Sequence, residues 1–189
     1  MKKLLLVFFI IVLLAQWIVP GSMIYQREEV LSKGKAFKFQ TEPVDPANPF
    51  KGRYVALNFK ENQITFPTKS RVFESGQDVY VAIEVNKEGF AHINNVYANK
   101  PATGTDYIDA KIYYVSQENS NTVTVHINYP FEEFYMDEYK APKAETIYRE
   151  SAIDTSKITY ALVKVWQGRT VIQNVYIGDK TIGELVNER

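Results

Sequence analysis

Both histidines of this sequence occur in the same tripeptide, as His92-Ile93-Asn94 and His126-Ile127-Asn128. An imidazole relays protons or binds metal near neutral pH, so a histidine beside a carboxylate or hydroxyl is the first place to look for chemistry. Here both lie in stretches that read as β-strands, and they fall at different positions of the repeat described below. Two histidines without cysteine are a thin ligand set, and half-exposed strand histidines are the expectation. Glu132, Glu133, Asp137, Glu138 and Glu145 crowd around a Pro130-Phe131 turn. Paired carboxylates can hold Ca²⁺ or share acid and base roles in hydrolysis. Their spacing fits no calcium loop, and they read as a solvated rim facing Lys51 or Arg53. No Gly-rich phosphate loop, Gly-x-Ser-x-Gly or His-Glu-x-x-His occurs. The reading is therefore of a non-enzyme with no catalytic residue, cofactor or metal site.

The tyrosines carry the better site hypothesis. There are 13 of them, and Tyr54, Tyr80, Tyr97, Tyr135, Tyr160 and Tyr176 recur at matched places in two portions of the chain. Aromatic faces tipped with a hydroxyl suit a groove for a glycan, a peptide or a partner's loop. Repeated aromatics are also what a repeated core would contain. The first idea needs an open groove and the second a packed interior.

Composition narrows the classes. Lysines and arginines number 22 against 22 acids, with no basic patch, so nucleic acid is not an expected partner. The absence of cysteine excludes disulfides, thiolate metal sites, a cysteine nucleophile and a lipidated cysteine. An apolar fraction of 46% is ample for a packed core, and the aromatic content favours strands.

These side chains need elements to position them. Residues 1–3 carry Lys2 and Lys3, and in the apolar stretch 4–24 the early polar residue is Gln16. At about 1.5 Å per residue this stretch reaches roughly 32 Å, enough to cross a bilayer's hydrocarbon core. The reading is a cytoplasmic tip (1–3), a retained transmembrane anchor (4–24), a juxtamembrane helix (25–34) and an extracytoplasmic domain (35–189), oriented by the amino-terminal lysines. A cleaved signal peptide is the competing reading, and Val19-Pro20-Gly21 is a poor cleavage site for it. Gly34 is expected to end the helix in a left-handed conformation.

The body reads as mainly β. Residues 36–40, 53–60 and 64–66 alternate as strands. The stretches 79–85 and 90–97 form a hairpin across Asn86 to Gly89, 107–115 and 122–129 form another, and 160–166 with 169–176 a third across Gln167-Gly168. One short helix is expected at 141–150. Pro49, Phe50 and Tyr54 fall on Pro130, Phe131 and Tyr135 at a single offset, and the first hairpin maps on the third. The fold class is thus an N-terminal transmembrane helix followed by a β-rich body of two related antiparallel halves, 35–105 and 106–189, with one short helix in the second.

The stretch Gly52-Arg53-Tyr54-Val55-Ala56-Leu57-Asn58-Phe59 resembles the signature of the GDYXXLXY family. Gly52, Tyr54 and Leu57 match, Arg53 stands where the family has aspartate, and Phe59 replaces its final tyrosine. Asp45-Pro46, the anchor, and Tyr135-Met136-Asp137-Glu138 with its following helix are similar to that family too. The resemblance implies a bacterial, membrane-anchored protein of uncharacterised function that accompanies polytopic membrane proteins. With Arg53 in place of the acid, a catalytic or metal role for that position fails here. Asp45, Pro46, Gly52, Tyr54, Leu57 and Phe59 then read as structural. The expected partners are the lipid bilayer and a neighbouring integral membrane protein; an envelope ligand-binding module is the alternative, and an unrecognised hydrolase, which needs a cleft where His92 or His126 meets a carboxylate or hydroxyl, is the lesser one.

Overall fold

The computed structural model describes residues 2–42, 54–68, 73–119, 121–153 and 157–188. Asp45, Pro46, Gly52 and Arg53, with the Pro49-Phe50 turn and Lys51, lie outside the described residues. Helix α1 (Lys2–Lys33) runs without interruption through Pro20. It is long and apolar enough to cross a membrane. Its large apolar side chains from Leu6 to Tyr25 are exposed, and among its described side chains Val30 is the one buried, at 2% accessibility.

The strands are β1 (Lys35–Glu42), β2 (Tyr54–Ala56), β3 (Asn58–Phe59), β4 (Gln63–Pro67), β5 (Asp78–Val85), β6 (Ala91–Tyr97), β7 (Tyr107–Asn119), β8 (Thr122–Asn128) and β9 (Glu133–Tyr135). After them come α2 (Ala141–Ile153), β10 (Thr159–Trp166), β11 (Arg169–Ile177), β12 (Lys180–Thr181) and α3 (Ile182–Glu188). Two five-stranded sheets, ordered β12-β11-β10-β1-β3 and β4-β8-β7-β5-β6, share one core, and β2-β9 form a short ribbon. The expected single strand over 53–60 is divided: β2 joins the ribbon, and β3 pairs with β1 in the first sheet. The second sheet curls, so that Glu61, just ahead of β4, reaches His92 of β6 at 3.0 Å.

Period-two burial explains most strands. On β10, Thr159, Ala161, Val163 and Val165 are buried and the residues between them half-buried. Phe37 and Phe39 of β1 point inward likewise, and Phe39 sits edge-on to Phe59 at 5.7 Å and to Phe131 at 5.2 Å. A second short helix, α3, stands in the body besides the one expected at 141–150. It opens on a reciprocal cap in which the Glu184 carboxylate accepts from the Thr181 N–H at 2.7 Å and the Glu184 N–H donates to Thr181 Oγ1 at 3.2 Å.

The expected halves, 35–105 and 106–189, are not separate bodies. Strand β1 pairs with β10, and β5 pairs with β7, so each sheet draws on both of the expected halves. Among the described residues a likeness appears in two hairpins. In β5–β6, Tyr80 faces Tyr97, Ala82 faces Asn95 and Ile83 faces Ile93, leaving Asn94 over as a bulge. In β10–β11, Tyr160 faces Tyr176, Leu162 faces Asn174 and Val163 faces Ile172, leaving Gln173 over. The Asn95 and Asn174 side chains each accept from the following backbone N–H, at 2.9 Å and 3.0 Å. The helices α2 and α3 follow no such correspondence.

Candidate functional site

The site grows from the junction between α1 and the body. Gly34 is the one residue between them, and its N–H donates to Val30 O at 2.9 Å. The expected left-handed turn is not there, for Gly34 is absent from the positive-φ residues. Glycine is needed for room instead. A Cβ at Gly34 would lie 2.3 Å from Val30 O and 3.2 Å from Lys164 Cβ. Lys164 Nζ donates to Gly34 O at 3.1 Å, and the Arg169 guanidinium holds Glu29 at 3.0 Å while Lys33 holds the same carboxylate at 2.9 Å. Helix and body therefore meet as one fixed joint.

Beside this joint lies a cleft of about 480 Å³. One wall is a single face of α1, because Met23, Gln26, Arg27 and Val30 follow the helical spacing of three and four. The opposite wall comes from Phe131, Phe134 and Tyr135 around β9, and a third side from the start of β11 at Arg169 to Ile172. Asp109 of β7 also lines it. The Asp109 N–H donates to Gly168 O at 2.9 Å, and a Cβ on Gly168, at φ 84°, would lie 2.3 Å from the Asp109 carboxylate. Burial pushes the Asp109 carboxyl above its ordinary value, opposed by the charges of Lys100 and Arg169. Arg27 is exposed and makes no ion pair among the described residues.

The six tyrosines form three cross-strand pairs in different places: Tyr54 with Tyr135, Tyr80 with Tyr97, and Tyr160 with Tyr176. Tyr54 and Tyr135 rings stand 5.6 Å apart, and Tyr160 and Tyr176 stack at 5.0 Å. Of the six, Tyr135 reaches the cleft; it is 62% exposed and its hydroxyl donates to Glu133. Tyr80 and Tyr97 border two other hollows.

His92 pairs with Glu61, and His126 stacks on Tyr114 at 3.9 Å with Ser116 Oγ at 3.4 Å. Neither histidine lines the cleft. The acids disperse. Burial, then the Glu133 charge, raises the Glu132 carboxyl, opposed by a backbone hydrogen bond. Asp137 accepts from the Tyr139 N–H in the turn before α2, and Glu138 and Glu145 are exposed. Among the described residues no three ligating side chains are grouped to hold a metal ion.

Of the family-motif positions within the described residues, Leu57 and Phe59 are buried at 5% and 2%, and the Leu57 N–H donates to Glu132 O at 2.8 Å. Tyr54 begins the ribbon. Reasoning on the sequence missed Asp109 and Arg169, whose neighbours Gly168 and Glu29 are remote from them in the chain. Arg27 had a signal, as the first charge beyond the apolar stretch. No curated protein and no solved structure matches the chain. A family model described as GDYXXLXY protein matches residues 16–175.

Proposed function

The chain belongs to the GDYXXLXY protein family, and on that premise we propose that it is a membrane-anchored accessory protein. In this reading α1 stays in the bilayer, the body stands outside the cytoplasm, and the whole works without catalysis beside a neighbouring integral membrane protein. The observation that carries the reading is the joint at Gly34. A body that only needed tethering could hang on a flexible linker. Here Val30 is buried against the body, Arg169 pairs with Glu29, and Gly34 leaves no slack. A joint of this kind fixes the pose of the body relative to its helix, which suits a protein that must meet a partner in one orientation. The exposed apolar flank of α1 supports the same reading, since lipid or another helix must cover it. Gln16 adds a hydrogen-bonding handle within the span.

The test is a photo-crosslinking residue in place of Gln16 in the full chain, activated in native membranes. The expected product is one dominant adduct with a polytopic protein, absent when the same group replaces Ile18, which is exposed on the other side of the helix. Adducts with lipid alone, or an unselective ladder from both positions, would remove the partner from this reading.

A further inference from the structure

We propose that the cleft between α1 and the body binds one anionic phospholipid, its phosphate against Arg27 and an acyl chain descending along α1 past Met23. The inference rests on the anchoring part of the function proposed above, and three independent observations support it.

The first is level. Arg27 lies three residues beyond Ile24, about 4.5 Å further along the helix axis, and the headgroup layer on each side of a bilayer is roughly 5–8 Å deep. A helix that spans with residues 4–24 therefore carries the mouth of the cleft at the depth of the phosphates. The second is charge. Arg27 is exposed and without an ion pair among the described residues, whereas Arg169 in the same cleft is held by Glu29. A guanidinium offers several N–H donors in a plane that matches a phosphate. The acids of the cleft have other neighbours: Glu133 accepts from the Tyr135 hydroxyl, and Asp109 lies against Gly168 with Lys100 and Arg169 as its nearby positive charges. The third is continuity. Val30, Phe131, Phe134 and Ile172 give the cleft an apolar lining. Below it Met23 and Ile24 are 66% and 65% exposed, so apolar surface runs from the cleft onto the lipid-facing helix. A volume of about 480 Å³ lies in the usual range for a small-molecule site, enough for a headgroup with the start of one chain.

The experiment places the full-length chain in nanodiscs of phosphatidylglycerol and phosphatidylcholine in equal parts, then transfers it to mild detergent for native mass spectrometry. We expect one retained phosphatidylglycerol per chain and phosphatidylcholine retained about tenfold less, because the quaternary ammonium of choline offsets the charge that its own phosphate presents to Arg27. Arg27→Ala should lower phosphatidylglycerol retention about tenfold, and Arg27→Lys, which keeps the charge and loses the planar fork, should fall between the two. Arg27 is exposed, so neither variant threatens folding. Equal retention of the two lipids, or retention unchanged in Arg27→Ala, would overturn the proposal. Inorganic phosphate in excess should displace none of the lipid; displacement would assign the site to a free anion. The intact mass separates the two readings. A chain shortened near residue 21 defeats anchoring and this site together, while a full-length chain carrying no lipid defeats this site alone.

Discussion

The hairpins β5–β6 and β10–β11 share a register, a bulge and an asparagine hydrogen bond, yet their tips do different work. In the first, three residues separate the facing Asn86 and Phe90, and a Cβ on Gly89 would meet nothing within 4 Å. The tip stands in water. In the second, two residues separate Trp166 and Arg169, and Gly168 is wedged against Asp109 beside the end of α1. The position that holds Phe90 in one hairpin holds Arg169 in the other. Phe90 packs on Tyr160 at 5.9 Å, and Arg169 clamps Glu29. One local plan thus serves two ends, because what a hairpin tip does is set by whatever packs against it.

The largest effect that tests this contrast is at the glycines. Gly89→Ala should cost about 1 kcal/mol for the left-handed backbone alone. Gly168→Ala should cost about 2 to 3 kcal/mol, since Asp109 must also move. Both are read from denaturant unfolding of the full chain in detergent. Adding Asp109→Ala should recover part of the second loss and none of the first; equal losses at the two glycines would erase the distinction.

Next come the tip residues. Phe90→Ala should remove about 1–2 kcal/mol of half-buried ring contact. Arg169→Ala should cost about 1 kcal/mol or less from a partly exposed ion pair. Only the second should quicken hydrogen exchange at the Gly34 and Val30 amides, because only it loosens the joint.

A smaller effect concerns acid. The folded-state value of Asp109 is raised, so the folded state binds this proton more tightly than the unfolded chain does. Its ionisation thus weakens the fold as pH rises through the ordinary aspartate range and up to the raised value, and above that value the deficit is constant. Asp109→Asn should therefore stabilise the protein at neutral pH more than at pH about 3. A gain independent of pH would show that its charge is fully compensated by Lys100 and Arg169.

The smallest effect sharpens the likeness itself. Asn95→Ala and Asn174→Ala should each cost about 1 kcal/mol and differ little, since each removes the same acceptor from the same bulge. Clearly unequal costs would make the shared register a coincidence of two well-patterned hairpins.

The same contrast shows where sequence reading reached. Both hairpins were legible with their glycine tips and facing tyrosines, because alternation and turn chemistry are properties of neighbouring residues. The division of 53–60 into β2 and β3 was not. Val55, Leu57 and Phe59 keep the alternation throughout and are all buried, and only the separate partners β9 and β1 part them. The cap at Thr181 and Glu184 was written in the chain as Thr-x-x-Glu and went unread. Glycine at 34 was identified as the helix stop, but its cause is crowding by Val30 and Lys164, not a left-handed turn.

By itself the sequence determined the apolar helix, most strands, the paired hairpins and the family signature. Each follows from short-range backbone geometry and the period of buried side chains. Tertiary structure alone decided that β1 lies on β10, that Asp109 meets Gly168, and that Arg169 closes on Glu29 beside the cleft. Many strands of this chain share one alternating pattern and compete as partners. The choice among them is made by the whole core at once, so no local stretch encodes where the cleft will form.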